Sequence, residues 1–194
     1  MKIYVIRHGR TELNKEKKVN GEIDEPLIKE GVEQAKTIVA FIPKSVKYIY
    51  TSPLLRARQT AEIINLKLNL PIDIKDELTE VHMGSLAGKS WEEMESGLEL
   101  KKKHRTVQFD YRAYGGESAK NVKKRIIAFF KSIQRKHGDN EILVITHGGV
   151  IRLIHLLEYG ESVYETEKHV SLLTFDLDKI LKNSQIFFKI LDSP

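Results

Sequence analysis

Short apolar runs alternate with longer amphipathic ones along this chain, the pattern that a sheet covered by helices on both faces writes into a sequence. Lys2 to Ile6 reads as a buried strand. After a polar loop, Ile28, Val32, Ala35, Val39 and Ile42 recur at three- and four-residue spacing until Pro43 ends them, which predicts a helix. Val46 to Tyr50 reads as a second strand, Leu55 to Leu68 as a helix with Ala57, Ala61, Ile64 and Leu68 on one face, and Ile72 to Ile74 as a short strand. From Glu77 to Tyr114 the periodicity degrades into a Gly-punctuated stretch with one helix around Trp91 to Lys103, so a variable insert or lid is expected at about 81–114. Gly115-Gly116 leads into a long helix that places Val122, Ile126, Phe129, Phe130 and Ile133 inward and ends near Gly138. Glu141 to Thr146 is an almost wholly apolar strand and Gly149 to Leu157 a short helix. Val170 to Asp176 and Gln185 to Leu191 read as closing strands joined by a polar turn at Asp178 to Ser184.

The strand-then-helix order predicts an α/β fold, a three-layer α/β/α arrangement with a mostly parallel central sheet, in a single domain spanning 1–194. Ligands of such sheets bind where the strand C-ends line a crevice. With 32 Lys and Arg against 27 Asp and Glu the net charge is +5, which favours anionic partners. The absence of cysteine excludes a disulfide scaffold, a thiolate metal site and cysteine nucleophilic catalysis. The four uninterrupted apolar residues Ile3 to Ile6 are too few for a secretory leader and no run reaches membrane-spanning length, so a cytoplasmic protein without membrane partners is expected.

What each strand delivers to the crevice carries the chemistry. The first ends in Arg7-His8-Gly9, the second in Thr51-Ser52, and the late apolar strand in Thr146-His147-Gly148-Gly149. Histidines followed by glycine let backbone N–H groups approach a ligand closely, Arg7 adds a forked donor, and Arg56 stands at a helix start, so the site is built for an oxyanion. One R-H-G tripeptide is weak evidence; its pairing with T-H-G-G and Arg56 is much stronger.

At these residues the chain resembles the histidine phosphatase superfamily, in its small phosphatase branch. The pieces are Arg7 through Asn14, Pro26-Leu27 through Gly31, Gln34 and Ala35, Thr51 through Ala61, Leu78-Thr79-Glu80 leading to Gly84, Gly115 through Ser118, and Val144 through Gly149. The resemblance implies a phosphoglycerate mutase-like fold and a histidine acid-type phosphatase, a phosphoric monoester hydrolase using no metal and no cofactor. It implies that His8 is transiently phosphorylated, that Arg7, Asn14, Arg56 and His147 grip the phosphoryl oxygens, and that Glu80 protonates the leaving group. Asn20 and Gly21, in a place where many relatives have Gln, and Gly148 complete the expected substrate-binding set. His8 must be neutral to attack, and Arg7 and Arg56 should push its pKa down, whereas Glu80 must hold a proton, so a bell-shaped pH profile is expected. Arg10 and Ala87 depart from the family pattern, Arg10 reading either as a cation at the pocket rim or as a surface residue.

Other motifs carry less. Gly84 through Ser90 mimics a phosphate-binding loop but has three residues between its glycines instead of four. His82, His104, His137, His155 and His169 show no metal-ligand spacing and read as core or surface residues. Trp91, Met94, Phe109, Tyr111 and Tyr114 form either a lid over the substrate or packing, with packing favoured. Lys101 through Arg105 reads as a solvated helix face, and nucleic acid is not expected as a partner. The functional reading is hydrolysis of a small-molecule phosphomonoester through a phosphohistidine, against two rivals: a cofactor-dependent phosphoglycerate mutase, and a basic anion- or nucleic-acid-binding module without turnover. A homodimer is compatible with the sequence, which leaves substrate and oligomeric state open.

Overall fold

Five strands form one sheet in the order β3-β2-β4-β1-β5. In the computed structural model, which describes residues 1–161 and 169–191 and only the backbone of 185–191, β1 (Lys2–Arg7), β2 (Val46–Thr51), β3 (Ile72–Ile74) and β4 (Glu141–Thr146) run parallel. The edge strand β5 (Leu172–Asp176) lies antiparallel on β1. Ile3 to Ile6 and Ile142 to Ile145 are apolar without alternation because both faces of the central strands are covered. Ile3, Val5, Ile142 and Val144 point into one core with Val122, Ile126, Phe129 and Ile154 from α5 (Ala119–His137) and α6 (Gly148–Tyr159). Tyr4, Ile6, Leu143 and Ile145 point the other way, against Ile38, Ala57, Ala61 and Ile64 from α2 (Lys29–Ile38) and α3 (Leu55–Leu68). Two cores on opposite sheet faces make the three layers.

The expected closing strand over Gln185 to Leu191 is absent: the turn and that strand are one helix, α7 (Leu177–Leu191). Leu177, Ile180 and Ser184 are buried at helical spacing, so the polar residues between them form an outer helix face and the period of 3.6 wins over a strand reading. α7 packs on α5 and α6. In the insert, the single helix expected around Trp91 to Lys103 is broken in two. A 3-10 turn at Trp91–Glu93 is separated from α4 (Gly97–Arg105) by Ser96 in the left-handed region, φ 55°. Gly97 approaches the Trp91 carbonyl so closely that a Cβ would lie 1.7 Å from its oxygen, which fixes the bend. Met94, Phe109 and Tyr111 are core residues, while Tyr114 faces outward.

Strand register sets the site. Arg7 pairs with Thr146 and Thr51 with Ile145, so the residues that follow these strands, His8, His147 and Ser52, emerge side by side. One helical turn at Glu12–Lys15 (α1), capped by Thr11, follows the His8 loop.

Candidate active site

The His8 loop is pinned on both sides of the ring. The backbone N–H of His8 donates to the Thr146 carbonyl at 3.0 Å and that of Gly9 to Thr60 Oγ1 at 3.0 Å. His8 Nδ1 lies 2.8 Å from the Gly9 carbonyl oxygen, which only accepts, so Nδ1 carries the proton and Nε2 keeps its lone pair. Arg56 Nε is 3.3 Å from that Nε2, and the His147 ring is 5.0 Å away, centroid to centroid. His147 holds its own Nε2 on Ser52 Oγ at 2.7 Å, and its buried Nδ1 has no protein partner. Burial, then Arg56 and Arg7, hold the His8 pKa well below 6.5; burial, then Arg56 and His8, do the same for His147.

The cations are fixed as firmly. Arg56 is wholly buried, its Nη1 donating to the Ile23 carbonyl at 2.6 Å and its Nη2 to the Gly21 carbonyl at 2.9 Å. Arg7, pushed down to about 10 by burial against the opposing pull of Glu80, remains charged at neutral pH. Two guanidinium groups beside two neutral imidazoles give a cationic floor, offset by Glu80 and, at Arg56, by Glu25 and Asp24, that a phosphoryl group complements.

Glu80 faces this floor from the segment after the 3-10 turn Asp76–Leu78. Arg125 on α5 braces that segment, its Nη2 donating to the Glu80 carbonyl at 3.3 Å and pairing with Glu117 at 2.8 Å. Thr146 Oγ1 adds a hydrogen bond to the Leu78 carbonyl at 2.8 Å. The carboxylate of Glu80 accepts from the N–H of Gly149 at 3.1 and 3.2 Å and from that of Val81 at 2.9 Å. A Cβ at Gly149 would lie 2.6 Å from Glu80 Oε1, so only glycine lets the start of α6 come this close.

Above the floor opens a cavity of about 270 Å³ whose walls include Arg7, Asn14, Asn20, Gly21, Glu80, Gly148 and Gly149. Of the residues expected from the sequence to bind or react, Arg7, Asn14, Asn20, Gly21, Glu80 and Gly148 line this cavity, while His8, Arg56 and His147 are buried within electrostatic reach of Arg7 and are not among its walls. Asn14 and Asn20 are hydrogen-bonded to each other and both to Thr11. Arg10 is instead paired with Glu30 at 3.0 Å on the surface. Lys101 and Lys103 pair with Glu92 and Glu99, and His104 within the same basic run is buried. Among the described residues no group of three His, Asp or Glu side chains is disposed to hold a metal ion, and no helix is long and apolar enough to cross a membrane.

A sequence model of the histidine phosphatase superfamily (branch 1) matches residues 3–172. The chain belongs to this superfamily. Phosphoglycerate mutase-like protein 4 of Arabidopsis thaliana is 32% identical over 195 residues, covering 98% of this chain and 80% of that protein. The metal-independent phosphoserine phosphatase of the same plant is 34% identical over 163 residues, covering 79% and 67%. The crystal structure of TTHB049 from Thermus thermophilus superposes with a TM-score of 0.74 at 31% identity, covering 91% of this chain and 94% of that one. The three-layer, phosphoglycerate mutase-like fold is thus that of the superfamily.

In this histidine phosphatase, residues that the sequence reading did not place at the site also line or support the cavity. His169 Nδ1 donates to the His8 carbonyl at 3.2 Å, and its ring lies 5.7 Å from that of His8. His104 and Arg152 also line the cavity, as does Trp91, which the sequence reading had favoured as packing over a lid. Ser52 and Thr60 stood inside a quoted motif, but nothing in the string said that one would hold His147 and the other Gly9. Arg152 did leave a signal, a lone cation four residues after Gly148 in an otherwise apolar run.

Proposed function

We propose that this chain is a phosphomonoester hydrolase that works through a phosphohistidine at His8 Nε2. The observation that carries the reading is the fixed ring of His8: Nδ1–H held by the Gly9 carbonyl, and the Nε2 lone pair turned toward Arg56 beneath the cavity. In the first displacement Nε2 attacks phosphorus, a P–N bond forms, the ester P–O bond breaks, and Glu80 gives its proton to the departing alcohol oxygen. The ring becomes a phosphoimidazolium whose charge the Gly9 carbonyl stabilises. In the second, water attacks phosphorus while the Glu80 carboxylate takes its proton, and the P–N electrons return to Nε2 as inorganic phosphate leaves.

Arg7, Arg56 and the open Nδ1 of His147 serve the equatorial oxygens through both steps, Asn14 and Asn20 standing at their edge. These fixed charges do what a metal ion would otherwise do, in keeping with the name of the metal-independent relative. A cavity of about 270 Å³ suits a small metabolite rather than a macromolecule.

The test is a panel of phosphomonoesters with and without chelator, for the native protein and His8→Ala, with alkaline quench to trap phosphohistidine. Chelator-resistant turnover that vanishes in His8→Ala, together with a trapped P–N adduct, is the expected outcome. Chelator-abolished turnover or full activity in the variant would overturn it. Phosphoglycerate interconversion stimulated by bisphosphoglycerate would replace hydrolysis with mutase action, and salt-dependent nucleic-acid binding indifferent to His8→Ala would replace it with a binding module.

A further inference from the structure

Asn14 and Asn20 stand at the edge of the phosphoryl site on the reading just given, on which this inference rests. A side-chain amide serves an anion only when it turns an N–H toward it and its oxygen away, and the two ends of an amide are alike in shape. Here the choice between them runs along a chain of hydrogen bonds with a fixed group at each end. Asn14 Oδ1 accepts from the backbone N–H of Thr11 at 3.3 Å, and Asn14 Nδ2 donates to Asn20 Oδ1. Asn20 Nδ2 donates in turn to Thr11 Oγ1 at 3.0 Å and to Glu25 Oε1. A hydroxyl gives or takes a hydrogen bond equally well, so Thr11 Oγ1 leaves the orientation open, whereas the Glu25 carboxylate only accepts.

Turned over, Asn20 would set its oxygen against that carboxylate and its N–H groups against Asn14. Asn14 would then have to turn as well and meet the Thr11 N–H with a donor. Glu25 is itself held, because its Oε2 accepts from the Leu13 N–H of α1 at 3.3 Å. The chain uses one N–H of Asn14 Nδ2 and leaves the other on a residue that lines the cavity. We infer that Glu25 is a positioning residue: through Asn20 it fixes the Asn14 amide so that an N–H, not an oxygen, meets the phosphoryl group. This role runs against that of its charge. Burial lowers the Arg56 pKa and Glu80, then Glu25, oppose it, so the Glu25 charge is felt at the anion site and by itself would weaken anion binding.

Calorimetric titration with inorganic phosphate separates the two roles, because their signs differ. Glu25→Gln keeps the shape, but the Leu13 N–H claims its amide oxygen, Nε2 then faces Asn20, and the chain is driven to reverse. Phosphate should bind this variant about fivefold or more weakly than the native protein. In an Asn14→Ala background the same substitution should weaken binding no further, since no amide is left to turn. Unchanged or tighter binding in Glu25→Gln would overturn the inference. So would an equal further loss in the Asn14→Ala background, which would make Glu25 a prop for the loop. Nitrogen-15 NMR of the native protein needs no variant to fold: saturating phosphate should shift the Asn14 side-chain N–H signals, and signals that stay in place would overturn the inference. Turnover of p-nitrophenyl phosphate is measured beside these. No turnover, with the binding pattern intact, would sink the hydrolase reading alone, and turnover with unchanged phosphate affinity in Glu25→Gln would sink the role of Glu25 alone.

Discussion

Lowering the pH from 7.5 to 5 is expected to remove at least about 4 kcal/mol of folding stability, through histidines that the fold keeps neutral. His8, His104, His137 and His147 are 1%, 9%, 8% and 0% exposed, and His169 is partly buried beside His8. Burial, reinforced by neighbouring arginines, holds His104 and His169 at about 3 and His8 and His147 well below 6.5, and burial with Lys136 lowers His137. In an unfolded chain the same rings take a proton near pH 6.5. Below that pH the unfolded chain binds protons that the folded protein refuses, so stability falls from 6.5 toward the folded-state values, at about 1.4 kcal/mol per ring per pH unit. For His104 and His169, held at about 3, integration from pH 7.5 to 5 gives about 2 kcal/mol each, to which the other lowered rings add in the same direction, set against a total stability of about 5–15 kcal/mol for ordinary domains. At this chain length the melting temperature should drop by at least about 8–16 °C. Paired carboxylates lose their contribution only around pH 4 and below, so they leave this window clear. Scanning calorimetry across the pH series, without phosphate, reads the slope directly, and His104→Phe should remove about 2 kcal/mol of the total loss. A drop smaller than about 5 °C would refute the reasoning, because it would mean that these rings titrate alike in both states. The same burial that makes the fold acid-sensitive keeps the proposed nucleophile unprotonated.

Ring nitrogen NMR at pH 6 should find His8 neutral with the proton on Nδ1, and a His8 titration midpoint near 6.5 would contradict the fixed tautomer. Gly149→Ala places a Cβ 2.6 Å from Glu80 Oε1; displacing the carboxylate should slow alkyl phosphate hydrolysis by about a hundredfold while sparing p-nitrophenyl phosphate, whose leaving group needs no proton. Equal loss on both esters would remove Glu80 from the acid role. Ser52→Ala frees His147 Nε2 and should lower kcat by about tenfold with little change in fold, measured by steady-state kinetics. Arg56→Lys keeps charge but loses the fork to Gly21 and Ile23, so it should cost about 2–3 kcal/mol in thermal unfolding and most of the activity; native-like stability would show that those carbonyl contacts matter little.

Much of the fold was legible because local period and burial agree. β1 and β4 are apolar on both faces, and α3 and α5 carry one apolar stripe each, so each element declares its environment within a few residues. The 177–191 stretch did not, since a short apolar run after polar residues fits a strand or a helix until its neighbours are known; packing on α5 and α6 decided for the helix. The bend at Ser96-Gly97 was hidden likewise, because it answers to the Trp91 carbonyl and not to a helix-stop pattern.

The sequence by itself determined which chemical groups stand at the strand ends: Arg7-His8 and His147 follow from order along the chain and from the rule that parallel strands end on one side, Arg56 from its place at the helix start after β2, and Glu80 only from the resemblance to the histidine phosphatases. Only the tertiary structure decided what those groups are in physical terms. The proton on His8 Nδ1, the neutrality of His147, the grip of Gly149 on Glu80 and the turn of Arg152 into the cavity all depend on distances between segments far apart in sequence and on the exclusion of water around them. Neither a distance across the fold nor a local dielectric exists until the chain has closed.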